Sequence, residues 1–389
     1  MSDKVVVVGG GLACARLIQA LQAAGFRGRV IVIGDEQHPP YDRPPLSKGM
    51  LVNDVEPPFP HLLAESDAKA VDWTLSCPAR SLDTTDKQVE LVDGRLVRYD
   101  TAVLATGCRA RPLPIAPQLN TLRTADDAFR IRRALVSKRG RLLLVGAGFI
   151  GSELAAAAVR RGWEVDVVDT TPLPLQAALG EHAARWLWQQ HRSRGVRTHF
   201  GTQVQELFES DNRHRAVLSD GTGIAADLAV AGIGTVPNVE WLHGTGLDIS
   251  DGVLVDQSLR ALKPTGESLD GVLAIGDVAR APTPPLGGIP IRVEHWSTAG
   301  AHARIAAATI LERPHSRRSA PPTFWTDFYD HRIQVVGSPT NGEPGDPEMG
   351  GKGFAIDFHD NRRLVGTVSV NWPARLVQTH RELTVDRQS

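Results

Sequence analysis

The chain of 389 residues has only three cysteines, Cys14, Cys77 and Cys108, and they lie far apart in the sequence. Three thiols are too few for an iron–sulfur cluster that is held by four cysteines. Their number and spacing are also unlike those of a disulfide framework. If this protein carries electrons, we therefore expect them to travel on a bound cofactor and not on its own thiols or on such a cluster.

An excess of charge of one sign is also missing. The 43 Lys and Arg residues almost balance the 44 Asp and Glu residues, so the formal net charge is −1. This balance argues against a strongly basic nucleic-acid binder and against a polyacidic tail. No apolar run is long enough for a transmembrane helix, and the first residues do not resemble a signal peptide. We expect a cytoplasmic protein that binds neither nucleic acid nor membranes.

A pattern that is present in the N-terminal region returns near residue 141. Each copy has an apolar run with a glycine turn, a helical stretch rich in Ala and Leu, and a second apolar run. The segments are residues 4–11, 12–24 and 30–33 in the first copy, and residues 141–148, 149–161 and 165–168 in the second. Gly25 and Gly162 are placed to end the two helices. Two such βαβ units predict parallel sheets, in a chain long enough for two or three domains.

The remaining segments are less regular. Short apolar runs predict meander strands at residues 88–93, 96–99, 103–105, 216–218 and 228–231. Residues 282–290 are rich in proline and predict a loop, and residues 313–322 are the best candidate for a linker. Beyond it, residues 324–389 alternate short strands with turns and end in a predicted helix at residues 374–383.

The first glycine turn has most of the features of a dinucleotide site. Gly9 and Gly11 occupy the first two positions of a G-x-G-x-x-G pattern, which lets backbone N–H groups approach a pyrophosphate at a helix N-terminus. Cys14 stands at the third position, where we expect it to be a packing residue. Asp35 follows the next strand and can accept hydrogen bonds from a ribose. These features predict nucleotide binding, although such a turn can also simply join a strand to a helix.

The second glycine turn is a complete G-x-G-x-x-G, formed by Gly146, Gly148 and Gly151. Asp169 ends the next predicted strand and is followed by two threonines, not by an arginine. An acid at this place binds the ribose 2′-hydroxyl and repels a 2′-phosphate, which favours NAD over NADP. Two sites in one chain predict two nucleotides, most simply a flavin nucleotide and a nicotinamide nucleotide.

Further segments carry a family resemblance. They are PYDRPPLSK (residues 40–48), LATG (104–107), GVLAIGDV (271–278), RVEHW (292–296) and FWTDFY (324–329). With the two turns, they resemble the FAD-dependent ferredoxin reductases of bacterial oxygenase systems, of the putidaredoxin reductase and biphenyl dioxygenase ferredoxin reductase type. Apoptosis-inducing factor is a relative of this family.

The resemblance implies an α/β protein with two Rossmann-like dinucleotide-binding domains, arranged as in glutathione reductase, and a small C-terminal α+β domain. The implied segments are 1–110 and 236–316 for FAD, 111–235 for NAD, and 317–389 for the C-terminal domain. No metal site is implied. The expected cofactors are FAD and NADH, with NADPH a weaker candidate.

The resemblance also implies which residues bind the cofactors. Those implied for FAD or for the flavin region are Gly9, Gly11, Leu12, Ala13, Asp35, Arg43, Lys48, Ala79, Ala105, Thr106, Gly107, Arg111, Arg123, Gly276, Asp277, Val278, Glu294, His295 and Trp296. Those implied for NAD are Gly146, Gly148, Phe149, Ile150, Gly151, Glu153, Asp169, Ile233 and Gly234.

Three of these residues are candidates for the chemistry. NADH gives two electrons as hydride and a ferredoxin takes one at a time, and a flavin can do both. The resemblance implies that Lys48 stabilises the reduced flavin, that Glu153 pairs with Lys48 near the nicotinamide, and that Trp296 covers a cofactor face. The residues alone leave other readings open: a solvated loop charge for Lys48, a helix N-terminal acid for Glu153 and a core aromatic for Trp296.

The implied function is an NADH-dependent ferredoxin reductase, which passes single electrons through FAD to a separate iron–sulfur ferredoxin that serves an oxygenase. Candidate docking residues for an acidic ferredoxin are Arg313, Arg317, Arg318 and Arg332, for which a basic linker that faces solvent is the simpler reading. Trp325 is a candidate on the electron route, and a core aromatic is the competing reading.

Two alternatives stay open at this point. One is an NADH oxidase or a quinone or dye reductase of the same fold, and the other is an NADH-responsive binding protein like apoptosis-inducing factor. Thiol-dependent NADH peroxidases have a similar fold but carry a reactive cysteine in an L-S-C-G segment. The matching segment here is L-S-K-G, with Lys48 in the place of the cysteine, which argues against that chemistry.

Overall fold

The computed structural model describes residues 3–53, 59–137, 139–211, 213–282, 288–314 and 321–385. The chain forms two compact units. The first contains Met1–Asp42, Phe59–Arg109 and Val236–Ala320, and the second contains Arg43–Pro58, Ala110–Thr235 and Pro321–Ser389. The division into four segments that the family resemblance implies stays a prediction.

The elements are numbered in chain order. The strands are β1 (Lys4–Val8), β2 (Arg29–Ile33), β3 (Asp72–Thr74), β4 (Ala79–Asp83), β5 (Gln88–Leu91), β6 (Leu96–Arg98), β7 (Thr101–Leu104), β8 (Cys108–Ala110), β9 (Asn120–Thr121), β10 (Arg141–Val145), β11 (Glu164–Asp169), β12 (Arg197–Phe200), β13 (Val204–Ser210), β14 (Arg213–Leu218), β15 (Gly223–Ala226), β16 (Leu228–Ala231), β17 (Thr235–Pro237), β18 (Val253–Leu254), β19 (Arg260–Leu262), β20 (Ser268–Ala274), β21 (Ala279–Pro282), β22 (Pro290–Arg292), β23 (Thr323–Phe328), β24 (His331–Gly337), β25 (Glu343–Pro344), β26 (Glu348–Gly350), β27 (Gly353–Asp360) and β28 (Arg363–Val370). The α-helices are α1 (Leu12–Ala23), α2 (Gly49–Val52), α3 (Glu65–Lys69), α4 (Ala125–Ser137), α5 (Phe149–Arg160), α6 (Gln176–Arg192), α7 (Trp296–Ile310) and α8 (Pro373–Val385).

The first unit is built on a six-stranded sheet of order β19-β20-β7-β1-β2-β3. The strands from β20 to β3 are parallel, and β19 is antiparallel at one edge. The four valines that end β1 are almost completely buried, as expected for a central strand of a parallel sheet with helices on its faces. Helices α1 and α7 pack against each other over the same core.

The second unit has a parallel sheet of order β12-β11-β10-β16-β9 and a small antiparallel sheet of β13, β14 and β15. Its C-terminal part is an antiparallel sheet of order β23-β24-β28-β27-β25, against which α8 packs. The predicted α/β class with two parallel sheets is confirmed. The predicted C-terminal helix is also found, as α8.

For two of the predicted strands, the assignment to an antiparallel meander is wrong. Strands β5 and β6 do form an antiparallel sheet with β4, but β7 lies beside β1 in the parallel sheet. Strand β14 is antiparallel, whereas β16 lies beside β10 in the other parallel sheet. Both β7 (TAVL) and β16 (LAVA) are buried at every residue. A strand that is covered on both faces is apolar throughout, and a short apolar run does not reveal the sheet to which it belongs.

The glycines that were predicted to end the first helix of each repeat do so. Gly25 and Gly162 have φ of 77° and 76°, a conformation that favours glycine. The proline-rich passage and the candidate linker lie partly outside the described residues, although β21 ends at Pro282 and β22 begins at Pro290. In the described ranges, no helix is long and apolar enough to cross a membrane.

Candidate cofactor and active site

The turn between β1 and α1 needs glycine for two different reasons. Gly9 has φ of +112°, and a Cβ atom there would lie 2.2 Å from the Ala105 carbonyl oxygen. Its N–H donates to the Ile33 carbonyl at 2.7 Å. A Cβ atom on Gly11 would have no atom within 4 Å. The turn is therefore closed toward the sheet and open in front of the helix.

The start of α1 is suited to an anion. No side chain caps this helix, and its first turn holds no acidic residue, so the first backbone N–H groups are available to an outside acceptor. Cys14 is completely buried, and burial raises the pKa of its thiol to about 12. These observations agree with a packing residue and not with a reactive thiol.

The turn that contains Asp277 lies against the start of α1. Gly276 has φ of +71°, and a Cβ atom there would lie 2.8 Å from Ala13 Cβ. The Gly276 N–H donates to His302 Nδ1 at 3.2 Å. Burial lowers the pKa of His302 to about 4, which leaves this imidazole neutral and able to accept. Helix α7 therefore fixes the turn on which Asp277 and Val278 stand.

Arg292 connects this turn with the RVEHW segment. Its Nη1 atom donates to the Asp277 carbonyl at 3.1 Å and lies 2.7 Å from Glu294 Oε1. The Cys108 sulfur is 3.0 Å from the same nitrogen, so Cys108 is one member of a polar cluster within the first unit. Burial lowers the pKa of His295, which favours a neutral ring beside Trp296.

Trp296 begins α7 and is held on two sides. Its Nε1 atom donates to Asp42 Oδ1 at 3.1 Å, and the Arg16 guanidinium carbon lies 4.9 Å from the ring centroid. The side chain is nevertheless 39% exposed. A fixed but exposed indole does not fit a core aromatic, and it offers an apolar face to a bound group.

The turn between β10 and α5 repeats the first one. Gly146 has φ of +105°, and a Cβ atom there would lie 2.3 Å from the Gly232 carbonyl oxygen. Gly148 again faces open space, whereas a Cβ atom on Gly151 would lie 2.2 Å from the Gly146 carbonyl oxygen. Helix α5 has neither a side-chain cap nor an acid in its first turn. This arrangement fits a second dinucleotide pyrophosphate.

The two carboxylates assigned to ribose binding differ in their surroundings. Asp35 is exposed, and its carboxylate has no hydrogen-bond partner within the described part of the chain. Asp169 accepts from the Ala147 N–H and from the Thr171 N–H, both at 2.7 Å. A carboxylate has about four lone-pair sites, so Asp169 can hold the glycine turn and still accept from a ribose.

The strand next to each glycine turn supplies a second loop. The Ala105 N–H donates to the Val8 carbonyl at 2.7 Å, and the Gly232 N–H donates to the Val145 carbonyl at 2.8 Å. Thr106 and Gly107 follow Ala105, as Ile233 and Gly234 follow Gly232. Both loops stand at the carboxyl ends of parallel strands where the strand order reverses, which is the usual place for a ligand in such sheets.

Glu153, on α5, has a buried carboxylate with three donors. Lys48 Nζ lies 2.7 Å from Oε1, Thr326 Oγ1 donates to Oε1 at 2.7 Å, and Ser47 Oγ donates to Oε2. The Glu153 residue is only 5% exposed. The predicted Lys48–Glu153 pair is thus present as a contact, and the two hydroxyl donors were not among the predicted residues.

Other predicted residues are placed as follows. Arg43 Nη1 donates to the Arg123 carbonyl at 2.6 Å, and Arg111 Nη2 donates to the Thr235 carbonyl at 3.0 Å. Ala79 begins β4, and Phe149 and Ile150 begin α5. None of these placements conflicts with a role beside a cofactor.

The arginines proposed for docking have different environments. Arg332 is paired with Asp327 at 2.6 Å, which makes it less available to a partner. Arg313 Nη1 donates to the Ala24 carbonyl at 3.0 Å. Arg317 and Arg318 lie outside the described residues. Trp325 is half-buried on β23.

The predicted residues fall in both units. The first unit contains Gly9, Gly11, Leu12, Ala13, Asp35, Ala79, Ala105, Thr106, Gly107, Gly276, Asp277, Val278, Glu294, His295 and Trp296. Among these, Gly9 lies close against Ala105, and Gly276 lies close against Ala13. In the second unit, Lys48 and Glu153 meet, and the turn at Gly146 to Gly151 meets Asp169 and the loop after β16. Sequence reasoning missed Ser47, Gly232 and Thr326; the only signal was that each stands beside a residue or within a motif already chosen.

Comparison with known proteins agrees with this geometry. Residues 3–303 match the model of the pyridine nucleotide-disulphide oxidoreductase family. The chain is 35% identical to rhodocoxin reductase of Rhodococcus erythropolis, over 95% of this chain and 86% of that protein. It is 33% identical to the ferredoxin–NAD(+) reductase component of the anthranilate 1,2-dioxygenase system of Burkholderia cepacia, over 95% and 91%.

A solved structure shares the whole fold. The crystal structure of the covalent putidaredoxin reductase–putidaredoxin complex contains a chain that matches with a TM-score of 0.91 and 30% identity, over 98% of this chain and 93% of that one. The resemblance to ferredoxin reductases of oxygenase systems that was stated from the motifs is confirmed by these matches.

Proposed function

The chain belongs to the pyridine nucleotide-disulphide oxidoreductase family, and from this premise we propose that it is an FAD-dependent ferredoxin reductase that oxidises NADH. It is an NAD(P)H-dependent oxidoreductase and a flavoprotein. Its electron acceptor is a separate iron–sulfur ferredoxin, which serves an oxygenase. Rhodocoxin reductase and the ferredoxin–NAD(+) reductase component of the anthranilate dioxygenase system support this partner. This chain aligns with most of the length of each of these two reductases.

The observation that carries the proposal is the Lys48–Glu153 contact in the segment where thiol-dependent relatives carry a cysteine. All three cysteines are buried and none of them forms a disulfide, which weighs against a redox-active pair of thiols. The family membership together with this substitution favours a route from flavin to an external acceptor. The same observation weighs against peroxide reduction by a cysteine.

The first unit supplies the residues that would hold FAD. The open N-terminus of α1 would bind the pyrophosphate through the turn at Gly9 and Gly11, and Asp35 would accept from the ribose of the ADP half. Asp277 would bind the ribityl chain, on a turn fixed by His302 and Arg292. When bound, the flavin accepts a hydride and releases single electrons.

The second unit supplies the residues that would hold NADH. The open N-terminus of α5 would bind the pyrophosphate, with Gly148 providing the space. Asp169 would accept from the ribose 2′-hydroxyl and repel a 2′-phosphate, which supports NADH as the preferred donor. Ile233 and Gly234 would line the nicotinamide end.

Lys48 has the chemistry for electrostatic assistance. Its ammonium contacts Glu153 Oε1 at 2.7 Å and the Pro44 carbonyl at 3.3 Å, so within the described part of the chain one of its three N–H groups has no partner. This N–H group is available to an acceptor on a cofactor. A fixed positive charge favours the electron-rich reduced state. Trp296, exposed but held by Asp42 and Arg16, would cover a cofactor face.

The test is a spectrum followed by an acceptor assay. The purified protein should be yellow and should bleach when NADH is added, and reduction of cytochrome c should then depend strongly on an added ferredoxin. A folded, colourless protein that binds no FAD would contradict the proposal. Rapid oxygen consumption without ferredoxin would support the alternative of an oxidase.

Several finer expectations stay predictions. They include the four-segment domain division, docking through Arg313, Arg317, Arg318 and Arg332, and a cytoplasmic location. Among the arginines, the Asp327 pairing of Arg332 makes Arg313 the better candidate of the two described. Fractionation of cells would test the location.

A further inference from the structure

The contacts of the Glu153 carboxylate join three parts of the chain that are distant in sequence. Lys48 and Ser47 come from the PYDRPPLSK segment, Glu153 comes from α5, and Thr326 comes from β23 in the C-terminal sheet. Lys48 and Thr326 share one oxygen, Oε1. The contact that orients the ammonium therefore includes a hydroxyl from the C-terminal segment.

Thr326 is placed by the sheet and not by a loop. It stands opposite Ile333 in the antiparallel pair β23–β24, and it is completely buried. A buried carboxylate needs hydrogen-bond donors, because burial without them is costly. Hydrogen bonds to a charged group are also among the stronger ones in proteins. The Thr326 hydroxyl is thus a rigid donor at a place where a donor is required.

Because Thr326 and Lys48 share one carboxylate oxygen, loss of the Thr326 hydroxyl should affect the position of the Lys48 ammonium. Without the Thr326 hydroxyl, Oε1 would keep only the ammonium as a donor, and the carboxylate could rotate toward Ser47. The Lys48 ammonium would follow its partner oxygen or lose the 2.7 Å contact. In either case the remaining N–H group of Lys48 would no longer be held at one position.

We propose that Thr326 is a positioning residue for hydride transfer, which acts through Glu153 to fix the Lys48 ammonium. The inference rests on the proposed function, since it assigns a role within the same site. Through Thr326, the C-terminal sheet would affect the rate at which NADH reduces the flavin, in addition to any role in docking. Thr326 itself is not expected to touch either cofactor.

The first experiment compares Thr326→Val with Thr326→Ser in the full-length FAD-loaded protein. Rapid mixing with NADH would give the limiting rate of flavin bleaching. We expect Thr326→Val, which keeps the shape but removes the donor, to lower this rate by about tenfold. Thr326→Ser keeps the hydroxyl and should stay within about twofold of the parent chain. Equal rates in all three proteins would overturn the inference.

A matched control comes from the same sheet. Thr367 on β28 is also completely buried and donates to a carboxylate, Asp357 Oδ1, at 2.6 Å. Thr367→Val should disturb the sheet to a similar degree but leave the bleaching rate unchanged. If it slows bleaching as much as Thr326→Val, the effect is general to the sheet and the proposal is wrong.

The decisive measurement is a double-mutant cycle with Lys48→Ala. If Thr326 acts through Glu153 on Lys48, Thr326→Val should cause little further loss once Lys48 is gone. Multiplied losses would show that the two residues act independently, which contradicts the proposal. If Thr326→Val does not fold, Thr326→Ala carries the same cycle, since it also removes the donor and leaves space for the neighbours to relax.

Failure of the two proposals can be told apart. If the parent chain binds no FAD or is not bleached by NADH, the proposed function fails. If the parent chain is bleached normally and the Thr326 variants match it, only the positioning role fails.

Discussion

Asp169 accepts hydrogen bonds from two backbone N–H groups, so its carboxylate supports the local structure in addition to any contact with a ribose. Replacement by alanine would remove the backbone contacts and the ribose contact at once. The glycine turn would lose the Ala147 contact, and binding of NADH and NADPH would fall together. A test of cofactor preference at the scale of the residue therefore needs a variant that changes the charge but keeps an acceptor.

Asp169→Asn is that variant. Its single amide oxygen can still accept from the Ala147 N–H that holds the turn, whereas the contact with the Thr171 N–H is lost. The negative charge that repels a 2′-phosphate is removed. We expect the preference for NADH over NADPH, measured as the ratio of kcat/KM values, to fall by roughly tenfold. A parallel change for both dinucleotides would instead mean that the carboxylate acts only on the turn. Asp35→Asn, in the other glycine-turn unit, should leave this ratio unchanged.

At the scale of the element, the two strand–turn–helix units share their first two glycines but not the third. Gly151 brings α5 so close to the turn that a Cβ atom would meet the Gly146 carbonyl oxygen at 2.2 Å. In the first unit, Cys14 is accepted at the same position and is completely buried. The first helix therefore accepts a side chain at the third position of the motif, whereas the second helix leaves no room for a Cβ atom there.

Two alanine variants should separate packing from binding in the second unit. Gly151→Ala would force the turn and α5 apart and should destabilise the fold by about 1–3 kcal/mol. Gly148→Ala meets no atom within 4 Å, so it should leave the melting temperature nearly unchanged. It should raise the KM for NADH, because the added methyl group occupies the space that a pyrophosphate needs. Thermal denaturation and steady-state kinetics check both; a Gly151→Ala protein as stable as the parent would contradict the contact.

At the scale of the whole molecule, both units bury histidines that resist protonation. Burial lowers the pKa of His191 to about 3, with a smaller contribution from Arg194, and burial lowers that of His302 to about 4. Asp166 has the opposite character. Burial alone would raise its pKa, but hydrogen bonds from Arg141, Arg197 and His199 outweigh this and hold it well below the usual value.

These shifts predict loss of stability in mild acid. The unfolded chain takes up a proton at each histidine near pH 6.5, whereas the folded chain takes it up near pH 3 at His191. Between these values the unfolded state binds more protons, so stability falls as the pH drops from 6.5. Between pH 7 and pH 5, proton uptake by His191 in the unfolded chain should lower the free energy of unfolding by about 2 kcal/mol. The Asp166 contribution is lost only in stronger acid, below about pH 4.

Substitution of one buried and one exposed histidine tests whether His191 causes the loss of stability in acid. His191 lies between Ser152 and Tyr329, at 2.9 and 3.0 Å. His191→Gln keeps a neutral polar group there, so its melting temperature should fall less than that of the parent between pH 7 and pH 5. His243 is exposed, and His243→Gln should keep the parent's acid sensitivity. Identical acid sensitivity of His191→Gln and the parent would contradict the prediction.

The sequence by itself determined the backbone architecture of both nucleotide turns. Each depends on residues that are adjacent in the chain: an apolar strand, glycines that need φ > 0 or close approach, and a helix without a cap. Short-range patterns of this kind fix local conformation, which is why β1, β10, α1 and α5 were found close to where they were predicted. The scarcity of cysteine likewise argues, from composition alone, against electron transfer through a pair of thiols.

The tertiary structure alone decided which strands pair and which side chains meet. The short runs of β7 and β16 lie beside β1 and β10 in the parallel sheets, where every residue of each run is buried. Four apolar residues do not record which strand they pair with. The Glu153 carboxylate is reached by Ser47 from 106 residues away and by Thr326 from 173 residues away. Contacts at such separations depend on the packing of whole sheets and helices, and no periodicity or motif in one segment records them.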